Sequence, residues 1–233
     1  MVFELREARR ATAALSANPD DTEQAIRAIA AMSGNSNERC FRRFRSTREG
    51  ALILRERREL YDILSDMDRL GSMPEKSLGK AIWDFYSTEE LSAQGLKAAS
   101  EAAGGGGGGD TDAERFGRRM RDLHDVFHVL TGYGRDMRGE MACLAFTFAQ
   151  TWNTGIGYLV LRSSRNAGWR SELGRLLRQA FRRGRRSRWL IDQDWEALLE
   201  QPLESLRTSL GIGPAPVYQQ VRSPGAPVLS QAG

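Results

Sequence analysis

An all-α fold is what this chain predicts, and three observations predict it. The longer apolar segments recur three and four residues apart, which places their side chains on one face of a helix. No strand pattern, alternating apolar and polar at a period of two, stands out. Several segments end at helix punctuation, with Asp, Ser or Thr in front and Gly behind. At 233 residues, 40% of them hydrophobic, the chain can bury a sizeable core in one domain. Residues 1–19 read as an N-terminal segment and 20–218 as a single helical domain. Residues 219–233 read as a disordered tail, the chain from Pro214 onward being rich in Pro, Gly and Gln.

Each element follows from its residues. Asp21-Thr22-Glu23-Gln24 resembles a capping box, and the stripe Ala25, Ile26, Ile29, Met32 behind it stops at Gly34. Ala51–Leu70 repeats the helical pattern through Leu52, Leu54, Leu60, Ile63, Leu64 and Met67. Pro74–Lys80 is a turn leading into Ala81–Tyr86, and Ser87 or Thr88 then caps a short helix with Leu91 and Leu96. Gly104–Gly109 cannot be helix interior, where each glycine costs ~1 kcal/mol relative to alanine. The run lacks the lysine of a phosphate loop and reads as a flexible linker. Asp112–Leu130 is a helix broken at Thr131-Gly132-Tyr133-Gly134, and a second helix starts near Asp136 or Arg138. Trp169–Phe181 and Asp192–Leu210 form a later helix pair closed by Gly211.

Met141–Leu161 carries no charge, and about 20 apolar residues suffice to cross a bilayer. Gln150, Thr151, Asn153 and Thr154 cluster near its centre, and such groups are costly in lipid unless partnered. The segment therefore reads as a buried helix lining the core or a ligand cavity. The first fifteen residues carry Glu4, Arg6, Glu7, Arg9 and Arg10 and so lack the apolar stretch of a secretory leader. Cys40 and Cys143 are far apart with no CxxC partner, which excludes a disulfide framework and reads Cys143 as a buried thiol. These features point to a reducing compartment and to a bacterial protein on the cytosolic side.

Arg162–Arg188 holds ten arginines against one acid, Glu172, together with Trp169, Phe181 and Trp189. Basic residues at an anionic membrane contribute about 1 kcal/mol each, and aromatic residues favour the interface. Arg182, Arg183, Arg185 and Arg186 are the membrane-docking candidates. No nucleic-acid recognition motif accompanies them, so nucleic acid is not an expected partner.

The chain's two histidines, His124 and His128, are four apart on one helix face, with Cβ atoms roughly 6 Å apart. Two imidazoles at that spacing can grip one divalent metal. Glu140 follows twelve residues later, and two helices joined by a short turn pack side by side, so it can face them. Asp125 lies about 100° round the helix from His124, either as a further ligand or as a support for an imidazole. Zinc is the first expectation, with iron, manganese or cobalt open. The alternative is that both histidines are ordinary helix-surface residues. A metalloprotease would carry glutamate where Asp125 stands, and nucleotide hydrolases with a His-Asp dyad need further histidines upstream.

Taken together, His124-Asp125-x-x-His128, eleven intervening residues and Glu140 resemble the metal motif of the ubiquinone (coenzyme Q) biosynthesis protein family Coq-four. The similarity runs through Val129-Leu130-Thr131-Gly132 and Gly139-Glu140. It extends upstream to Met73-Pro74 with Ser77-Leu78-Gly79, and downstream to Asp194-Trp195-Glu196, Pro202-Leu203 and Leu210-Gly211-Ile212. About residues 20–218 are covered; the glycine run and the dense arginines depart from the family pattern. The resemblance implies a multi-helix orthogonal bundle enclosing an apolar lipid-binding cavity, with His124, Asp125, His128 and Glu140 as ligands to one divalent ion. It implies removal of the C1 carboxylate from 4-hydroxy-3-methoxy-5-polyprenylbenzoate, with or without oxygen. The implied setting is peripheral, on the cytoplasmic face of the inner membrane. Implied partners are that polyprenylated benzoate, the anionic membrane surface and other ubiquinone-biosynthesis enzymes. A homodimer is left open. The alternative role is a non-catalytic lipid-binding scaffold organising those enzymes. Leu144, Phe146, Phe148, Trp152, Ile156, Leu159 and Val160 are the lining candidates, against a plain core role for each. The sequence does not name the proton donor; Tyr133, just past the motif, is a candidate.

Overall fold

A computed structural model describes residues 3–18, 21–89, 92–102 and 109–222, which form fourteen helices and no strand. The first eight are α1 (Leu5–Ala17), α2 (Thr22–Ser33), α3 (Ser36–Ser46), α4 (Arg48–Arg55), α5 (Leu60–Leu64), α6 (Met67–Gly71), α7 (Leu78–Thr88) and α8 (Ala93–Ala102). The rest are α9 (Asp112–Thr131), α10 (Met137–Thr151), α11 (Thr154–Ala167), α12 (Glu172–Arg186), α13 (Trp195–Leu198) and α14 (Leu203–Ser209). Gly104–Gly108, most of the expected linker, lie outside the described residues, as do Leu91 and 223–233.

The centre of the molecule is α9, whose Leu123, Val126, Phe127 and Leu130 are wholly buried. Its start is a capping box in which the Thr111 hydroxyl accepts the Glu114 N–H and the Glu114 carboxylate accepts the Thr111 N–H. Its end is the left-handed Gly132, φ 74°, whose N–H bonds the His128 carbonyl at 2.9 Å. The last carbonyls would otherwise be orphans. Arg207 donates to Val129 and Leu130 at 2.9 Å each, and Arg183 donates to Thr131 at 3.0 Å.

Several segments depart from their sequence patterns: Asp192–Leu210 is not one helix but α13 and α14, and Ser87 and Thr88 are the last residues of α7, not the cap of the next helix. The helix expected over Ala51–Leu70 is broken into parts of α4, α5 and α6. Arg57 turns left-handed at φ 53°, and the Arg58 N–H reaches back to the Ile53 carbonyl, so the turn closes without glycine or proline. The uncharged run Met141–Leu161 is two helices, because Trp152 adopts φ 53° and ends α10. The polar residues of that run make the break. Asn153 caps α11 through the Ile156 N–H and donates to Ser33 and Asn37. Gln150 accepts the Leu190 N–H at 2.8 Å and donates to the Gly184 carbonyl at 2.6 Å. Among the described residues no helix is long and apolar enough to cross a membrane.

α10 packs on α12 at Gly184, where a Cβ would lie 2.7 Å from the Phe146 carbonyl oxygen. α1, in the segment left unassigned by the sequence pattern, lies on α2 with Ala8 and Ala11 buried. Residues 219–222, grouped with the tail by composition, are held in place: the Val221 carbonyl accepts the Met137 N–H, and the Val221 N–H donates to the Asp136 carboxylate.

Candidate metal centre

α9 and α10 lie side by side across the Thr131–Asp136 turn, and this brings His124, His128 and Glu140 together. The two Nε2 atoms are 3.1 Å apart, and Glu140 Oε2 is 3.3 Å from each. Metal bonds of about 2.0–2.1 Å at tetrahedral angles place neighbouring ligand atoms roughly 3.3 Å apart. The three atoms therefore have the size of one face of a zinc coordination sphere, and the residues fit a divalent ion.

The support around them favours the same role. His128 Nδ1 lies 2.8 Å from the Tyr133 carbonyl, which can only accept, so Nδ1 carries a proton and Nε2 is the atom turned toward Glu140. Phe85 of α7 stacks on the His128 ring with centroids 5.6 Å apart. Arg135 Nε donates to Glu140 Oε1 at 3.3 Å and leaves Oε2 to the imidazoles. Asp125 is buried, and its Oδ2 accepts the Tyr86 hydroxyl at 3.1 Å. It stands behind the histidines, tied to α7.

One residue of the cluster was not in the motif. The Sγ of Cys143 and the nitrogens of His124 and His128 lie within 4.8 Å of one another. Its signal was in the sequence: Cys143 is three residues past Glu140, hence on the same helix face. The charges reinforce each other. Burial works against a charged imidazole, yet Cys143 and Glu140 raise the His124 pKa to about 10 and that of His128 well above its usual value. Burial also opposes the anions, but the imidazoles hold Glu140 well below the usual carboxylate range and bring Cys143 down to about 7. Cys40, buried without such neighbours, is pushed up to about 11.

The cluster opens on a cavity of about 640 Å³, whose wall includes His124, Asp125 and Glu140. Leu144, Ile156 and Leu159 line it, together with Ile29 and Met141. The other lining candidates sit elsewhere. Phe146 packs on Phe127 in the core, Phe148 packs against Trp152 and Phe181, and Trp152 is 47% exposed. Val160 packs against the main core. Tyr133 is fully buried with the Arg183 guanidinium 5.1 Å from its ring centroid, and it is not part of the cavity wall. Arg182, Arg185 and Arg186 are exposed, with Arg185 lying 5.1 Å over the Trp152 ring. Arg183 instead points inward, to the carbonyls of Thr131, Ile212 and Pro214.

The family model for the coenzyme Q (ubiquinone) biosynthesis protein Coq4 matches residues 7–216. The chain belongs to the Coq4 family. A mitochondrial ubiquinone biosynthesis protein COQ4 homolog from Mus musculus is 30% identical over 178 residues, covering 74% of this chain and 64% of the mouse protein. The mitochondrial COQ4 of Phaeosphaeria nodorum is 31% identical over 177 residues, 74% of this chain and 58% of that one. The chain thus spans a little under two thirds of the length of these Coq4 relatives. A crystal structure from Nostoc punctiforme PCC 73102, of a protein named for ubiquinone biosynthesis, shares the fold at a TM-score of 0.61 and 18% identity. That match covers 91% of this chain and 100% of the other.

Proposed function

We propose that this Coq4 protein acts in ubiquinone biosynthesis by removing the C1 carboxylate of 4-hydroxy-3-methoxy-5-polyprenylbenzoate at a membrane surface. The observation that carries the reading is the triangle of His124, His128 and Glu140 beside a cavity with an apolar flank. His124, His128 and Glu140 would hold the ion, with Asp125 fixed behind them by Tyr86. When bound, a divalent ion supplies a Lewis acid that stabilises charge on a carboxylate or phenolate.

The chain's own residues divide the remaining work. Leu144, Ile156, Leu159 and Ile29 offer the apolar wall that an isoprenoid stem needs. Arg121 and Arg135 put guanidinium groups on the same wall, each paired with an acid, Asp122 and Glu140. A cavity of about 640 Å³ is within the range of small-ligand sites. A long polyprenyl tail would leave it for the bilayer, which agrees with a basic outer surface at Arg182, Arg185 and Arg186.

Purified protein loaded with metal should release carbon dioxide from a polyprenylated hydroxybenzoate, and His128→Ala should retain its fold and release none. Retention of the benzoate through purification with no conversion under any metal, with or without oxygen, would reject the enzymatic reading. A non-catalytic scaffold that holds the lipid for other enzymes would then take its place. The absence of Tyr133 from the cavity wall is the observation that favours that second reading.

A further inference from the structure

We propose that Cys143 is a metal ligand in this chain, its thiolate joining His124, His128 and Glu140 around a zinc-like ion. The inference rests on the reading that this site holds a divalent metal, and it assigns the donor set. Cys143 is fully buried on α10, one helical turn from Glu140, and its Sγ and one ring nitrogen from each histidine all lie within 4.8 Å of one another. Zinc–sulfur bonds of about 2.3 Å and zinc–nitrogen bonds of about 2.0–2.1 Å set the sulfur roughly 3.6 Å from each nitrogen. The sulfur then has at most roughly 1 Å to close, from the helix face that already presents Glu140.

Charge supports the same set. Two neutral imidazoles, one carboxylate and one thiolate neutralise a divalent ion, which suits a site whose His128 and Cys143 are buried, where an uncompensated charge is costly. Asp125 is then free to keep the Tyr86 hydroxyl bond it already makes. The sulfur also changes which metals fit. Thiolate is a soft ligand that selects zinc and cobalt(II), whereas an all-oxygen and nitrogen set admits manganese and magnesium more readily.

The test uses cobalt(II) alone as the probe, with the full chain. Wild type should take up one equivalent and develop a near-ultraviolet thiolate-to-cobalt charge-transfer band. Cys143→Ser should lose the band with an unchanged circular dichroism spectrum, and its zinc affinity should fall by more than the roughly 10–100-fold that loss of a supporting residue costs. Stoichiometric cobalt in wild type with no sulfur band overturns the Cys143 assignment and leaves the metal reading standing. No cobalt uptake by wild type overturns both. The wild-type spectrum alone decides the question should the serine variant fail to fold.

Discussion

Tyr86 reaches across from α7 to donate its hydroxyl to Asp125 Oδ2 at 3.1 Å, and both side chains are buried. The bond fixes Asp125 behind the two histidines and couples the aromatic end of α7 to α9. Burial and the neighbouring Asp125 carboxylate together push the Tyr86 hydroxyl far above its ordinary pKa, so it remains a donor at any working pH.

Tyr86→Phe removes that donor and leaves a buried carboxylate short of a partner. Chemical denaturation should show a loss of about 1–3 kcal/mol, with the metal content of the purified protein retained. Loss of the metal with unchanged stability would instead place Asp125 among the ligands.

Arg207→Met strips two donors from the end of α9, where Val129 and Leu130 would keep unpaired buried carbonyls. A destabilisation of roughly 2–4 kcal/mol is expected. The exposed Arg186→Met should stay within about 0.5 kcal/mol of wild type. Thermal melts of the two variants side by side check the contrast.

The arginines of α12 should separate by function. Changing Arg182, Arg185 and Arg186 together to Ser should weaken binding to anionic liposomes by about 3 kcal/mol at low salt, with little left to lose at high salt. Arg183→Ser should lower the melting temperature instead, because its guanidinium is committed to four backbone carbonyls. Liposome co-sedimentation that is blind to the triple change would remove the docking surface.

Asp194 gives a pH dependence with a defined sign. Burial opposes its charge, but Arg58 at 2.7 Å and the Ala197 N–H hold its carboxyl below the usual range. A depressed folded pKa contributes stability above the unfolded value of about 3.9 and loses it as the pH falls below that. Asp194→Asn should therefore be less stable than wild type at pH 7, and the two denaturation midpoints should converge as the pH drops below about 4. A constant gap across that range would assign the loss to something other than this carboxylate.

What the residues disclosed in advance is uneven, for physical reasons. The histidine pair and Glu140 were legible because helical spacing and one short turn are local rules. Cys143 was equally local, three residues from Glu140, but an isolated cysteine in an apolar run has the same pattern as a core thiol. The breaks at Arg57 and Trp152 were hidden, because neither residue is a usual left-handed turn former and tertiary bonds hold both turns. Gln150 and Asn153 did mark a polar interruption, yet which carbonyls and amides they serve is a fact of packing against α2, α3 and α12. Arg183 belonged by composition to a basic face and by geometry to the end of α9.

Asp136 caps α10 with Oδ1 accepting the N–H groups of Arg138 and Gly139, and the same carboxylate takes the Val221 N–H and the Tyr218 hydroxyl. The helix that carries Glu140 and Cys143 is thus moored by residues some eighty positions further along. A ribosome making this chain finishes both histidines and the glutamate long before it makes Tyr218. Until Tyr218 and Val221 are made, the Asp136 carboxylate lacks two of its partners, so the start of the helix that carries Glu140 takes its final hold only late in synthesis.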